Sequence, residues 1–471
     1  MCKNLTAMTL FFLWIFSGSL ICKDINWTEH LINSQSVGHP SQPLIFDLNG
    51  DGDNDLIYGD GHRDKVSWWE NDGNQNFVER VVDSTKGGCF LKVDDFDNDG
   101  DLDIGGRGYD SSGIFWWEND GFLNFTRNSI YNGNTANCRF TDLDYDNDLD
   151  AVACSESNSE IFWLENDGAM KFTKHIIDSS YYKPAGLAIA DMDGDNDIDF
   201  VASSYWGDNL SWWENDGNNS FTYHNLVTLT NITYPMTVDL DQDTDIDIVI
   251  GTGDWGDEIW WLENDGQMSF TVHNICNNHA FGLQDINDVD GDGDLDLLTA
   301  FHWSEGALTW WDNDGFQNFT RRDIATHYGM NSAALGDVDG DGDLDVAGGV
   351  GESTNQILWW ESNLQSSMVL SVSPDPLIAG QYATFTVTNG QANTSTYLAY
   401  SLFGIGDTYI PFLDVHLDLF NPKQASGIKV TDNQGTAVWS LLIPSTAAGK
   451  SVWFQSVQYG MKSNVVATSV Q

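Results

Sequence analysis

Asp95-Phe96-Asp97-Asn98-Asp99-Gly100-Asp101-Leu102-Asp103 decides how this chain is read. The pattern, D-x-[DN]-x-D-x-D-x-D, occurs seven times, starting at Asp47, Asp95, Asp142, Asp191, Asp239, Asp288 and Asp337. The steps between starts are 48, 47, 49, 48, 49 and 49 residues. A period of that length implies an array of supersecondary units, none of which buries its apolar face alone. So many carboxylates within nine residues repel one another unless a cation neutralises them.

Working outward, each unit holds four short apolar runs. In the second unit Phe90 to Val93 leads into the acidic loop and Ile104 follows it. Then come Ile114-Phe115-Trp116-Trp117, the turn Glu118-Asn119-Asp120-Gly121, and Phe125 to Ile130. Asn-Asp-Gly between two β-prone runs is a turn signal. It recurs at Asn71, Asn166, Asn215, Asn264 and Asn313. Four strands per unit of this length predict a propeller blade, and no helical period is sustained anywhere. The seventh unit stops at Trp359-Trp360-Glu361-Ser362-Asn363 without a fourth strand. Trp27-Thr28-Glu29-His30-Leu31-Ile32 matches fourth strands such as Phe172-Thr173-Lys174-His175-Ile176-Ile177. The expectation is a seven-bladed β-propeller over 25–363, closed by the N-terminal strand. One tryptophan of each pair, such as Trp68-Trp69 and Trp212-Trp213, is expected to pack between blades.

The acidic sets are Asp47, Asn49, Asp51, Asp53, Asp55; Asp95, Asp97, Asp99, Asp101, Asp103; Asp142, Asp144, Asp146, Asp148, Asp150; and Asp191, Asp193, Asp195, Asp197, Asp199. The remaining three are Asp239, Asp241, Asp243, Asp245, Asp247; Asp288, Asp290, Asp292, Asp294, Asp296; and Asp337, Asp339, Asp341, Asp343, Asp345. Calcium takes six to eight oxygen ligands in a flexible cage, whereas magnesium demands a stricter octahedron. Side chains at loop positions 1, 3, 5 and 9 are expected to bind Ca2+, with the backbone carbonyl at position 7, at up to seven structural sites. Position 6 needs a residue that accepts a left-handed backbone. Glycine or asparagine stands there in six copies and Thr244, a poor fit, in the fifth.

Composition narrows the function. The chain has 471 residues and a formal net charge of -52, with 71 acidic residues, 34 of them Asp of the nonapeptides. That excludes a phosphate backbone as partner, since nucleic acid needs a basic face. Lys3, the apolar run Leu5 to Phe16 and the small Ser17 and Ser19 predict a secretory signal peptide over 1–19. The run is too short for a transmembrane span. Cys22 follows Leu20 and Ile21, which are too bulky for a lipid-attachment box. A secreted chain meets abundant calcium and tolerates disulfides. Cys138 and Cys154 flank the third acidic loop symmetrically, as either a disulfide across a hairpin or two buried thiols. Sequons at Asn26, Asn124, Asn231 and Asn318 matter only in a host that glycosylates them.

The acidic loop, the apolar strand after it and the N-D-G-x-x-x-F-T stretch resemble the FG-GAP/VCBS repeat over about residues 25–363. The resemblance implies the calcium-binding propeller of integrin α-subunits and of many secreted microbial proteins. It is specific for fold and metal rather than for function. The family spans cell adhesion modules, lectin-like proteins and polysaccharide lyases or dehydratases. In its integrin-like members calcium is structural and lies opposite the ligand face.

With strands running outward from the axis, the acidic loops and the Asn-Asp-Gly turns share one rim. The other rim carries Arg107, Tyr109, Tyr205, Trp206, Trp255, His302 and Trp303 between second and third strands, with His62 and Arg63. His327 and Tyr328, with Tyr181, Tyr182 and His279, lie between units. Aromatics with scattered His suit carbohydrate binding or a protein ligand. His30, His175, His224 and His273 fall on the outermost strands and read as surface or sheet-packing residues rather than ligands. No nucleophile elbow, H-E-x-x-H or phosphate loop is present. The chain therefore reads as an extracellular binding or adhesion module for a glycan or protein. The alternative is a lyase or dehydratase with His302 or His327 as base. Beyond Ser366 the acidic repeat ends. Strand-like runs from Phe385 to Val457 between Gly, Asn and Pro turns predict a small β-sandwich over 367–471.

Overall fold

The computed structural model describes residues 25–33, 41, 43–61, 63–110, 113–252, 258–277, 282–300, 306–351, 356–363, 369–374, 376–388, 395–403, 405–410, 415–419, 421–432, 436–458, 461–462 and 466–471. The expected signal peptide lies outside them. The described chain is all-β, with a single 3-10 turn at Ser445–Ala447 as its one helical element among the described residues.

Seven sheets of four antiparallel strands occur among the described residues before residue 364. Six are built from consecutive strands; the second joins Gly88–Asp94, Asp103–Gly108, Ile114–Asn119 and Phe125–Tyr131. The last joins Met330–Gly336, Asp345–Val350 and Gln356–Ser362 with the N-terminal Trp27–Asn33. Trp27 pairs with Ser362 and His30 with Trp359 in that closure, and the Asn363 amide donates to the Asn26 carbonyl at 2.9 Å. The terminal strand removes an open edge from the last sheet.

Burial explains the strand composition. Second strands such as Asp55–Asp60 and Asp150–Ser155 are buried along their whole length. Both of their faces meet a neighbouring sheet, so their sequences run apolar without alternation. Fourth strands such as Phe77–Asp83 alternate with solvent. Seven apolar clusters each bridge two neighbouring sheets. One of them joins Leu56, Tyr58 and Trp69 of the first sheet to Val338, Ala347 and Trp359 of the last. The order of contacts is therefore cyclic, and the sheets are blade-like.

Both tryptophans of a pair are core, rather than one. Trp116 packs with the third sheet and Trp117 with the first. Trp359 faces the first sheet and Trp360 the sixth. Adjacent residues of a strand point to opposite faces, so each pair staples its sheet to both neighbours.

Cys138 and Cys154 are free, buried thiols. The hairpin pairs Asn137 with Cys154 and Cys138 with Ala153. One residue of register separates the two cysteines from being opposite, which places them on opposite faces of the sheet, in different clusters.

After residue 368, Val369–Ser373, Tyr382–Thr388 and Ala437–Leu442 form one antiparallel sheet. Ser395–Ser401 and Ser451–Gln458 centre another, and Ile405–Ile410 pairs with Val415–Leu419. Phe385 of the first sheet meets Phe454 of the second with ring centroids 4.6 Å apart, inside a shared core with Leu398 and Trp439.

Candidate functional site

Each acidic nonapeptide is a tight loop between the first and second strands of its sheet. Backbone amides converge on its own carboxylates. In the first copy Gly50 N donates to Asp47 Oδ1 at 2.8 Å and Gly52 N to Asp47 Oδ2 at 2.9 Å. The bond from position 6 to the position 1 carboxylate recurs in all seven copies, at 2.9–3.0 Å. Position 6 has positive φ throughout, including Thr244 at 84°. Position 4 has positive φ as well, at Gly50, Asn98, Tyr145, Gly194, Gln242, Gly291 and Gly340. That second requirement went unread in the sequence, because glycine fills position 4 in only four copies.

Position 9 opens the second strand and is fully buried in every copy. Asp55 Oδ2 accepts from Leu48 N at 3.2 Å and its Oδ1 from Asn71 N at 2.8 Å. The same carboxylate thus ties the loop to the end of the third strand. Each oxygen keeps one lone pair for a further partner. Burial pushes Asp55, Asp103, Asp150, Asp199 and Asp345 up to about 7, Asp247 to about 6 and Asp296 to about 8. Burial and the neighbouring Asp341 and Asp345 raise Asp343 to about 8. Without a cation, these loops hold more negative charge than their surroundings favour.

The carboxylates converge. Asp191, Asp193 and Asp199 bring oxygens within 4.8 Å of one another, as do Asp239, Asp241, Asp247 and Asp288, Asp290, Asp296. Positions 1, 3 and 5 do so at Asp95, Asp97, Asp99 and at Asp142, Asp144, Asp146. Asp144 Oδ1, Asp241 Oδ1 and both oxygens of Asp343 are buried without a protein hydrogen-bond partner. Buried carboxylate oxygens with nothing to accept from are what a cation would complete. The donors are all oxygen, without sulfur or imidazole, which fits a hard ion such as calcium.

Position 7 has a second use that sequence reading did not foresee. Its carboxylate rests on the glycine of the Asn-Asp-Gly turn. A Cβ on Gly73 would stand 2.5 Å from Asp53 Oδ2, and one on Gly217 2.4 Å from Asp197 Oδ2. The two loops of a sheet therefore share one rim, as the topology requires.

At the opposite rim the expected ligand residues separate. Trp255, His302 and Trp303 lie outside the described residues, as do His62 and His279. Tyr205 and Trp206 meet edge to face with centroids 5.1 Å apart. Trp206 is 61% exposed, and Lys183 Nζ sits 5.3 Å from its ring centre. The neighbouring Tyr182 is 57% exposed and borders a cleft of about 560 Å³ with Tyr223, Ser204 and Asn209. Tyr181 is buried and donates to the carbonyls of Ala202 at 3.0 Å and Asn209 at 2.8 Å, so it packs. Tyr109 lies over Gly61, where a Cβ would be 2.2 Å from its ring, and burial raises its hydroxyl pKa. Arg107 reaches the Thr135 carbonyl at 3.2 Å. His327 contacts Glu29 of the N-terminal strand at 2.7 Å, so its imidazole serves the closure. Tyr328 is exposed.

The outer histidines pack as expected. His30, His175, His224 and His273 stack on Trp359, Trp163, Trp212 and Trp261 at 4.4–4.7 Å. Each also contacts a glutamate of the same sheet, as His224 does Glu214 at 2.7 Å.

FG-GAP-like repeats match this chain at residues 47–104, 142–202, 191–250 and 288–348. The chain thus carries four FG-GAP-like repeats, in line with the FG-GAP/VCBS resemblance of its acidic loops. Repeats of this family commonly bind calcium, and with blade-like sheets they suggest a propeller-type binding module. No curated protein matches the chain. Among solved structures, BBS1N in complex with ARL6DN is 13% identical over 71% of this chain and 96% of that one, with a TM-score of 0.47. The S. cerevisiae core factor is 8% identical over 72% of this chain and 60% of that one, with a TM-score of 0.44. Among the described residues, no helix is long and apolar enough to cross a membrane.

Proposed function

We propose that the chain is a secreted, calcium-binding, seven-bladed propeller over 25–363 with a β-sandwich over 367–471. It acts as an extracellular adhesion or binding module for a glycan or protein ligand. Calcium occupies the acidic loops, held by positions 1, 3, 5 and 9 and the position 7 carbonyl, and stabilises the rim. The observation that carries this reading is the pairing of buried carboxylate oxygens without a partner in the acidic loops, such as those of Asp144 and Asp241, with the exposed Trp206 and Tyr182 on the opposite rim, where Tyr182 borders a cleft with Tyr223. Exposed aromatics also stand on the acidic rim, at Phe122, Tyr145 and Phe316. Flat apolar faces beside hydrogen-bonding groups suit sugar rings and interface hot spots alike.

The test is a glycan array and an extracellular-protein panel, probed with the wild-type chain and with Trp206→Ala and Tyr182→Ala. Binding that both variants weaken while their melting temperature holds supports the assignment. Equal binding by wild type and variants moves the ligand off this rim.

A further inference from the structure

In a chain of net charge -52, two guanidiniums lie against one phenylalanine ring near the ring axis. Phe90, on the innermost strand of the second sheet, touches Tyr234, which precedes the innermost strand of the fifth; their ring centroids are 5.4 Å apart. Contact between sheets three apart in a cyclic order places both rings in the middle. Arg107 and Arg139 lie against the Phe90 ring, with guanidinium carbons 5.3 and 5.4 Å from its centre. Phe90 stands early on the strand Gly88–Asp94, and Arg139, midway along Asn137–Thr141, turns its Nη1 back to Asn137 and the Cys138 carbonyl, so the cluster faces away from the acidic loops.

Arg139 is incompletely used. Its Nη1 donates to Asn137 Oδ1 at 2.7 Å and to the Cys138 carbonyl at 2.9 Å. Its Nε and Nη2 have no protein acceptor, and no carboxylate pairs with it, among the described residues. Neither nitrogen is sealed from solvent. Partial burial lowers the guanidinium pKa through desolvation, as for a cation whose charge is not offset. A cavity of about 300 Å³ lies beside it, lined by Phe90, Lys92, Arg139 and Phe140 among others. Lys92 is already committed to Asp94 at 2.8 Å and to the Phe140 carbonyl at 3.2 Å. The cation–π contact with Phe90 uses the guanidinium carbon's side of the group. It leaves the Nε–Nη2 edge, which matches a carboxylate in two parallel hydrogen bonds, without an acceptor.

We propose that this axial pocket binds the carboxylate of a single acidic sugar residue, received side-on by the Nε–Nη2 edge of Arg139. The inference rests on the extracellular binding role proposed above and names a ligand class for that rim. A sugar is favoured over an acidic peptide because Tyr234, whose ring meets that of the pocket-lining Phe90, is half-exposed and offers a flat face for a pyranose to stack on. A single terminal residue is favoured over a polyanion because the basic spot is pocket-sized and the chain around it is strongly acidic.

The probe pair is methyl glucuronide and methyl glucoside, which differ at one carboxylate, titrated into the full chain with calcium present. The glucuronide is expected to bind at least tenfold tighter, since hydrogen bonds to a charged group carry that much. Arg139→Lys keeps the charge and removes the fork, and is expected to lose most of that preference with an unchanged melting temperature. Arg139→Gln is expected to lose all of it. Equal affinity for the two sugars, or full glucuronide binding by a folded Arg139→Lys, overturns the proposal. So does capture of an acidic peptide in preference to the glucuronide. Neutral glycans bound on the array without a glucuronide preference would sink this inference alone and leave the broader binding role standing.

Discussion

The Tyr145 hydroxyl of the third acidic loop donates to the Asn196 carbonyl of the fourth, at 2.5 Å. It is one link of a chain. Asn98 Nδ2 reaches the Asn147 carbonyl at 3.3 Å, and Gln242 reaches the Gly293 carbonyl. Each time, position 4 of one loop bonds position 6 of the next. Glycine at position 4 makes no such bond, so only some neighbours are coupled. Replacing Tyr145 by Phe removes one link from an exposed site, which costs about 1 kcal/mol when the loops are ordered. Tyr145→Phe is expected to melt a few degrees lower and to take up calcium less cooperatively. A calcium titration followed by tryptophan fluorescence checks this, and curves that superimpose on wild type refute the coupling.

Chelation tests the metal assignment itself. An ion bound only by the folded chain stabilises it in proportion to the logarithm of its free concentration. Transfer from millimolar calcium to excess EDTA is expected to lower the melting temperature markedly, and returning calcium should restore it. Asp241→Ala removes a position 3 carboxylate whose Oδ1 is buried without a partner. It should shrink the calcium effect while leaving the chelated melt nearly unchanged. An identical melt in EDTA and in calcium would falsify the metal role.

The buried position 9 carboxylates set the pH dependence of the metal-free chain. Their pKa values are raised by burial to about 6–8, above the ordinary carboxylate range. The folded chain therefore binds protons that the unfolded chain has released. That stabilisation is complete below pH about 4 and is lost as pH rises through 6 to 8. Metal-free protein is expected to melt higher at pH 5 than at pH 8. With saturating calcium the order should reverse, because cation binding requires the ionised form. Melting scans at both pH values, with and without calcium, give four points whose pattern decides the matter.

Thiol counting checks the hairpin register. Cys138 and Cys154 are expected to alkylate as free thiols once the chain is unfolded without reductant. A cross-linked peptide pair by mass spectrometry would contradict the pairing of Asn137 with Cys154.

Much of the fold was legible because the repeat states the same instruction seven times. The N-terminal strand was readable from its likeness to Phe172 through Ile177, and it does pair with the last sheet. The details that escaped depend on a one-residue choice of register or face. Cys138 and Cys154 looked opposite by counting from Asp146, yet the hairpin pairs Thr141 with Asp150 and sets them one residue apart. The tryptophan pairs looked like one core residue and one spare until burial on both faces was evident. Arg139 gave no signal at all. It is one basic residue between Cys138 and Phe140, and only the assembled ring brings it to Phe90.

Thr244 and Gly217 give the sharpest contrast in backbone strain. Thr244 holds φ at 84° where glycine stands in four other copies, and its amide still donates to Asp239 Oδ2 at 3.0 Å. A β-branched residue in that region costs roughly 1–3 kcal/mol. Thr244→Gly relieves that strain but frees the unfolded chain, which returns part of the gain. The net expectation is a stabilisation of about 1 kcal/mol. Gly217→Ala runs the other way, because its new Cβ would lie 2.4 Å from Asp197 Oδ2 and push the position 7 carboxylate off the turn. It should destabilise the chain and weaken calcium binding at the fourth loop together. If Thr244→Gly melts lower than wild type in calcium, the threonine is contributing something beyond a tolerated fit, and the strain argument for position 6 fails.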